Sequence, residues 1–268
     1  MFGRRSDATL VRGLSPMRAF MPFISPRRND SLVLYTLEVD PDPALRFVET
    51  YNATAPPDRK LSLFLLMLRA IAETIRQRPH VNRFVAGGRL WQRDEVWITF
   101  SAKMTLEDGA PLVTVKRRFD LDKSVEEMVE GIASRLVRRR GGEKTQSDRE
   151  MGLGLRFPPF VTRFAVWALG KANALGLLPK KMVDDDPLFA TLFAANLGSV
   201  DMEAGYHHLW EYGTCSIFAM MGRVKTRIDG SRFFEIKFSY DERMADGLYG
   251  GISMEMIKTA LENPERLV

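Results

Sequence analysis

The sequence predicts an α/β protein, and three observations lead to this prediction. Short segments with alternating apolar and polar residues, typical of strands, occur in both halves of the chain. Longer segments with helical periodicity lie between them. The 268 residues, 45% hydrophobic and 27% charged, are an ordinary composition and a sufficient length for one large α/β domain or two small ones.

The first third of the chain is predicted as an arm, one strand and two helices. Residues 1–30 are rich in Arg, Pro and Ser and have no period, which predicts an irregular arm. Residues 31–40 alternate as a strand does, and residues 43–53 are typical of a short helix. Residues 61–78 predict the strongest helix, because they contain no Gly or Pro until Pro79 ends them.

The middle of the chain is predicted as two strands and two helices. Residues 91–104 and 112–119 are strand-like, with a turn signal at residues 107–109. Residues 124–140 form an amphipathic helix that begins with a capping box. A charged loop is predicted over residues 138–150.

A second amphipathic helix is predicted over residues 160–178, with Arg163, Gly170 and Asn173 on a narrow polar side. Arg163, Lys171 and Asn173 interrupt its apolar sequence, which excludes a transmembrane helix. Packing on its own domain or on a partner subunit is the favoured interpretation. Contact with a membrane surface is the alternative.

The last third is rich in strands. Residues 188–197, 214–224 and 233–240 are predicted strands, and in the last of them the aromatic and aliphatic side chains all point one way. A helix over residues 246–262 follows.

Charge and cysteine content limit the function classes. The net charge of +5 is modest and is not gathered on one predicted element, so nucleic-acid binding is not expected. The single cysteine, Cys215, excludes an intramolecular disulfide, and no signal peptide is visible, so we expect a cytoplasmic protein. Histidines and carboxylates show no metal-site spacing, and there is no P-loop or dinucleotide fingerprint.

Five short segments, in order along the chain, resemble the catalytic domain of the dihydrolipoyl acyltransferases of 2-oxoacid dehydrogenase complexes, whose fold chloramphenicol acetyltransferase shares. The resemblance covers about residues 17–268, with an unmatched insertion at about 140–185. The matching segments are Met21-Pro22-Phe23, Arg27-Arg28-Asn29-Asp30, the helix end Arg78-Pro79-His80-Val81-Asn82, Asn196-Leu197-Gly198 and Asp241-Glu242-Arg243-Met244-Ala245-Asp246-Gly247.

The resemblance implies a two-layer sandwich, in which helices pack on one face of a large mixed β-sheet. The irregular arm would then be followed by one acyltransferase-like domain over residues 31–268. It also implies a homotrimer with active sites at the subunit boundaries. In this family a histidine of the final motif acts as general base toward a thiol or hydroxyl, which attacks a thioester, and a serine stabilises the oxyanion.

Two positions depart from the family pattern. Glu242 stands at the position of the base and Ala195 at that of the oxyanion serine, whereas Asp246 and Gly247 are retained. A positioned base is worth about 10²–10⁴ in rate and one oxyanion donor about 10²–10³. Glu242 is therefore either a base of raised pKa or an ion-pair partner of Arg243 or of an arm arginine, Arg27 or Arg28.

Adjacent histidines are the other candidates for the base. His207 and His208 follow the Asn-x-Gly turn, in a connection that in the family runs close to the active-site channel. An imidazole is well suited to proton transfer near neutral pH. The alternative is a pair of structural histidines in a loop packed by Tyr206 and Trp210.

We therefore expect a stand-alone acyltransferase-like protein that moves an acyl group from a thioester donor to an acceptor that the sequence leaves open. The expected catalytic residues are His208, His207, Glu242 and Asp246. The expected co-substrate is acyl-CoA or an acyl-carrier thioester, with no covalently bound cofactor and no metal. The alternative is a catalytically inactive trimeric binding or scaffold protein that keeps the fold.

Overall fold

The computed structural model describes residues 4–103, 112–120, 122–142 and 146–267. The turn predicted at residues 107–109 lies outside these ranges. The strands are β1 (Ala8–Leu10), β2 (Leu32–Val39), β3 (Arg83–Ala86), β4 (Arg89–Arg93), β5 (Trp97–Lys103), β6 (Leu112–Arg118), β7 (Leu192–Asn196), β8 (Ile217–Met221), β9 (Lys225–Thr226) and β10 (Arg232–Asp241). The helices are α1 (Pro16–Ile24), α2 (Asp42–Thr54), α3 (Leu63–Gln77), α4 (Val125–Arg140), α5 (Gln146–Gly154), α6 (Pro159–Leu175), α7 (Lys180–Asp185) and α8 (Gly247–Glu262).

The large sheet is mixed and has the strand order β2-β10-β8-β7-β5-β6, with β9 added beside β10. Strand β7 runs parallel to both β5 and β8, and the other pairs are antiparallel. The longest pairing joins β10 to β2, and there Tyr240 lies opposite Val33. Parallel neighbours require crossover connections, and the crossover from β7 to β8 carries the segment with the adjacent histidines.

The two faces of this sheet have different coverings. In β10, Ile236, Phe238 and Tyr240 point into the main core, which helices α2, α3, α4 and α8 cover. The opposite face carries a smaller apolar cluster around Phe193 and Phe218. Side chains of a strand alternate between the two faces of a sheet. The period of two in the sequence of β10 therefore predicts correctly which of its residues face the main core. The structure confirms the predicted two-layer α/β sandwich.

Local sequence signals position the helices. Ser62 caps α3, whose side chains are buried almost all round, and Ser124 with Glu127 forms the predicted capping box of α4. Gly176, in the left-handed conformation, ends α6. Most helical bounds therefore agree with the prediction within a few residues.

The N-terminal arm is not irregular as predicted. Ser15 and Pro16 start helix α1, and the short strand β1 pairs with β4 in a separate three-stranded sheet, β1-β4-β3. The prediction of a single strand over residues 91–104 is also wrong. Strand β4 ends before Asp94, and the chain then passes from the small sheet to β5 of the large one. Alternation of apolar residues continues across this break and hides it in the sequence.

Residues 146–185, the described part of the predicted insertion beyond residue 142, form three helices, α5, α6 and α7, rather than a loop and one helix. Residues 146–150, predicted as part of a charged loop, are the first residues of α5. Helix α6 docks its C-terminal end on the β3–β4 turn, where a Cβ atom at Gly87 would overlap the carbonyl oxygen of Ala174. The rest of α6 contains no fully buried residue.

Candidate functional site

A buried ion pair fixes the backbone where β10 ends. The Nε and Nη2 atoms of Arg243 donate to the two carboxylate oxygens of Asp241 at 2.8 and 2.7 Å, and the Arg243 backbone N–H donates to the same group at 3.1 Å. Both side chains are buried. Arg243 also donates to the carbonyl oxygen of Ser25, at 2.7 Å. The ion pair thus links the end of helix α1 to the end of β10.

The arginines that could have paired with Glu242 have other partners. Arg243 binds Asp241, Arg27 binds Asp30 at 2.9 Å, and Arg28 is buried and donates to backbone carbonyls of residues 210, 211 and 213. In the described part of the chain, the Glu242 carboxylate forms no ion pair. The structure therefore does not support a role for Glu242 as the ion-pair partner of these arginines.

The backbone of Glu242 is held on both sides. Its N–H donates to the carbonyl oxygen of Ser31 at 2.9 Å, and its carbonyl oxygen accepts from Nη1 of Arg18 at 3.1 Å. The side chain is half-buried. A fixed backbone with a carboxylate that forms no ion pair is suited to contact a substrate or a second subunit.

Asp246 is the N-cap of helix α8. Its Oδ1 atom accepts from the backbone N–H of Tyr249 at 2.8 Å, and its side chain is exposed. A capping carboxylate satisfies a helix N–H group and interacts favourably with the helix dipole. Asp246 thus holds the first turn of helix α8, whereas the ion pair of this turn belongs to Asp241.

The third histidine of the chain lies at the same end of the sheet. The ring of His80 stacks on that of Tyr249, with centroids 4.6 Å apart. Burial lowers the pKa of His80, the charges of Arg83, Arg18 and Arg78 lower it further, and Asp246 acts in the opposite direction. In the sequence, His80 is only one residue of the matching helix end at residues 78–82, because its contacts come from a helix far along the chain.

Tyr240 connects this end of the sheet to helix α8. It is buried, and burial raises the pKa of its hydroxyl, with the charges of Glu242 and Asp246 raising it further. A Cβ atom added at Gly250 would lie 2.8 Å from the Tyr240 oxygen. The hydroxyl thus fits against the first turn of α8 only because this position has no side chain.

His207 and His208 lie on the opposite face of the sheet. The His207 ring lies between Phe218, whose centroid is 4.2 Å away at an interplanar angle of 11°, and His208, whose centroid is 4.4 Å away. Trp210 contacts both histidines. His207 is half-buried, whereas His208 and Tyr206 are exposed. Of the packing by Tyr206 and Trp210 given as the alternative to a catalytic role, the contact with Trp210 is present, while Tyr206 contacts Thr36.

One hydrogen bond sets the tautomer of His207. Its Nδ1 atom lies 2.7 Å from the carbonyl oxygen of His208. A carbonyl oxygen can only accept, so Nδ1 carries the proton and Nε2 of the neutral ring has the free lone pair. An available lone pair and a fixed ring orientation are two properties of a general base, which also needs a substrate proton within about 3 Å.

Ala195 belongs to the same face as these histidines. It packs beside the cluster that contains Phe193 and Phe218, and it lies opposite Met220 of β8. Its methyl group cannot donate a hydrogen bond, so this position provides no oxyanion contact. The Asn-x-Gly turn that follows is tight, because a Cβ atom at Gly198 would lie 2.6 Å from the carbonyl oxygen of Gly222.

The histidine pair and the two carboxylates form separate groups within one subunit. The backbone N–H of His207 donates to Ser239 at 3.3 Å, three residues before Glu242 and hence about 10 Å away along the strand. Proton transfer needs about 3 Å, or one bridging water. Among the described residues, no contact joins His207 or His208 to Glu242 or Asp246. Their meeting across a subunit boundary stays a prediction.

Other site chemistries find little support. Cys215 is buried, and burial raises the pKa of its thiol, so it is not an activated nucleophile. Within the residues that the structure describes, no three His, Cys, Asp or Glu side chains form a group that could hold a metal ion. No described helix is both long and apolar enough to cross a membrane.

No protein-family model matches this sequence, and a comparison with curated proteins finds no match. Solved structures do resemble the chain. The dihydrolipoamide acetyltransferase (E2p) of Azotobacter vinelandii has a TM-score of 0.63 and 15% identity, and the match covers 96% of this chain and 94% of that one. A chloramphenicol acetyltransferase has a TM-score of 0.59 and 13% identity, and the match covers 95% of this chain and 99% of that one.

A third solved structure gives the same result. The truncated catalytic core of a 2-oxoacid dehydrogenase multienzyme complex from Thermoplasma acidophilum has a TM-score of 0.59 and 14% identity, and the match covers 95% of this chain and 98% of that one. At these identities the similarity concerns the fold. Together with the mixed sheet and its single helix layer, it shows that this chain has the chloramphenicol acetyltransferase-like fold.

Proposed function

We propose that this protein transfers an acyl group from a thioester donor to an acceptor thiol or hydroxyl, with His207 as the general base. The observation that carries the proposal is the 2.7 Å contact between His207 Nδ1 and the His208 carbonyl oxygen. In the neutral form of the ring, this contact places the proton on Nδ1 and leaves the lone pair on Nε2. Stacking on Phe218 and His208 holds the ring in one orientation.

The proposed reaction is simple acyl transfer. His207 Nε2 takes the proton of the acceptor, whose oxygen or sulfur forms a bond to the thioester carbonyl carbon. The carbon–sulfur bond of the donor then breaks, and the imidazolium gives its proton to the departing thiolate. The products are the acylated acceptor and the free donor thiol. A base placed in this way contributes about 10²–10⁴ in rate.

The other predicted residues have positioning roles in this proposal. The His208 carbonyl orients the base, Asp246 holds the start of helix α8, and Glu242 offers a carboxylate to the imidazole of a neighbouring subunit. That last role requires an assembly, because the two groups are separate within one chain. The homotrimer implied by the family resemblance is the assembly that we propose.

The structural neighbours support the donor class. Two of them are named as acetyltransferases, and they match the chain over nearly its whole length. Acyl-CoA or an acyl-carrier thioester is therefore the donor that we propose. The rate should be lower than that of an enzyme with a complete oxyanion site, because Ala195 lacks a hydroxyl.

The test is thiol release from a panel of acyl-CoA donors with thiol and hydroxyl acceptors. We expect His207→Gln to lower the rate at least about 10²-fold. His80→Gln is the matched control. His80 is also stacked and half-buried, but it lies beside Tyr249 near Asp246 and not in the histidine pair. A larger loss for His80→Gln than for His207→Gln would overturn the assignment of the base.

A second function, thioester binding without turnover, is favoured by one observation. Ala195 packs beside an apolar cluster and has no hydroxyl of its own to donate to an oxyanion. A protein that binds acyl-CoA in calorimetry but releases no thiol with any donor would have this function. Detectable release that His207→Gln abolishes would exclude it.

A further inference from the structure

Helix α6 presents an apolar face to solvent. Phe160, Phe164 and Trp167 are 72%, 66% and 58% exposed and follow one another at helical spacing. Phe164 and Trp167 stack on each other at 5.6 Å. The inner face of the helix meets its domain through Leu169 and Ala172. Of the polar side predicted from the sequence, Arg163 and Gly170 are exposed and Asn173 is half-buried, so solvent meets both this side and the apolar face.

The chain ahead of α6 extends this apolar surface. Leu155 and Phe157 are 80% and 52% exposed, and with Val166 and Trp167 they line an open groove of about 590 Å³. Exposed apolar side chains that occur singly need no explanation, but a continuous patch of aromatic residues indicates a binding surface. We call residues 155–175 the insertion surface.

The charge of this region has one sign. Between Glu150 and Asp184 the sequence contains no acidic residue and five basic ones, namely Arg156, Arg163, Lys171, Lys180 and Lys181. Arg156, Arg163 and Lys171 are exposed and form no ion pair within the part of the chain that the structure describes. Arg163 and Lys171 lie on the same side of α6 as its aromatic residues, and Lys171 contacts the Trp167 ring.

Charge and shape together select the occupant of this surface. A second copy packed through the same surface would bring the same basic residues face to face, which costs free energy. A layer of anionic lipid headgroups above acyl chains complements both the basic and the aromatic residues. We propose that the insertion surface docks the protein on an anionic membrane, with α6 lying in the plane of the interface.

The expected depth of insertion follows from the side chains. Phe160, Phe164 and Trp167 enter the boundary between headgroups and acyl chains, where aromatic rings are favoured. Arg163 and Lys171 extend to the phosphates. Phe23 of helix α1, which is 64% exposed, lines the same cavity as Gly170 of α6 and adds an apolar edge. The docking is independent of the proposed acyl transfer.

The experiment is flotation of the full chain with phosphatidylcholine vesicles, with and without phosphatidylglycerol. We expect flotation only with the anionic vesicles, and release at high ionic strength because salt screens the attraction. Of the four tryptophans, Trp167 is exposed and the other three are buried or half-buried. Vesicle binding should therefore shift the tryptophan fluorescence emission to shorter wavelength. Trp167→Phe should still bind the vesicles but should not show this shift.

Two variants with matched controls test the surface itself. Arg163→Gln with Lys171→Gln should weaken vesicle binding about 30-fold, which corresponds to about 1 kcal/mol per basic residue. Phe164→Ser with Trp167→Ser should weaken it at least about 10²-fold. Ile228→Ser and Arg46→Gln, which change an exposed apolar and an exposed basic residue elsewhere, should leave binding unchanged.

Three results would overturn the proposal. The first is no flotation with anionic vesicles, and the second is equal flotation with neutral ones. The third is self-association that the Phe164→Ser, Trp167→Ser variant abolishes, since it would make a second copy the occupant. The charge variant changes only exposed side chains, so it keeps the proposal testable even if the aromatic variant fails to fold.

Discussion

The buried pair of Asp241 and Arg243 allows a sharp test of how the end of β10 is held. Replacing Asp241 by Ala removes the acceptor of three hydrogen bonds and leaves the guanidinium of Arg243 buried without its counter-ion. The Ser25 carbonyl remains as an acceptor for Nη1 alone. The expected result is a large loss of stability rather than a local change.

The magnitude follows from the burial of both groups. The Asp241 side chain is fully buried and that of Arg243 is 2% exposed. Breaking such a pair by removing one partner costs about 3–5 kcal/mol, because the remaining charge is uncompensated. Since domains are stable by about 5–15 kcal/mol, Asp241→Ala should lose a large part of the free energy of unfolding.

The assay is urea unfolding followed by circular dichroism. Asp184→Ala is the control, because it breaks a half-exposed pair with Lys180, at 2.9 Å, and should cost less than about 1 kcal/mol. The double variant Asp241→Ala, Arg243→Met removes both charges and should recover most of the loss. A loss for Asp241→Ala no larger than that of the control would refute this account of the turn.

Three further predictions concern catalysis, titration and packing. Ala195→Ser should raise thiol release up to about 10²-fold by supplying an oxyanion donor, and an unchanged rate would count against an active site on that face. Burial lowers the pKa of Lys116 to about 7. The free energy of unfolding should therefore rise with pH between about 7 and 10.5, because in this range only the unfolded state binds the proton. Urea unfolding at several pH values should show this rise in the wild type and not in Lys116→Met. Gly250→Ala should destabilise the protein by about 1–3 kcal/mol, because the added Cβ atom meets Tyr240. Gly251→Ala, whose Cβ atom would lie in open space, should stabilise it by about 0.5–1 kcal/mol. Equal changes in the melting temperature of the two variants would contradict the contact.

The sequence predicts the elements whose signals are local. Helices α3, α4 and α8 have caps and periodicity of their own, and the alternation in β10 assigns its two faces correctly. The single helix layer and the mixed sheet followed from the family resemblance rather than from periodicity. Both are confirmed.

The errors concern elements that depend on distant partners. Strand β1 has three residues and exists because it pairs with β4, and the break at Asp94 separates two sheets that only the folded chain brings together. The setting of His80 likewise depends on Tyr249. The tautomer of His207 depends on the path of the next carbonyl group. Spacing along the sequence carries no information about any of these.

The pairing of β10 with β2 has a consequence for how the chain folds. Val33 and Tyr240 are neighbours in the sheet, although most of the sequence lies between them. Contacts of such large sequence separation make folding slow. During synthesis, the edge of β2 that pairs with β10 therefore stays without its partner strand until β10 has left the ribosome. A chaperone that shields this edge should raise the yield of native protein more than one that acts on the finished chain.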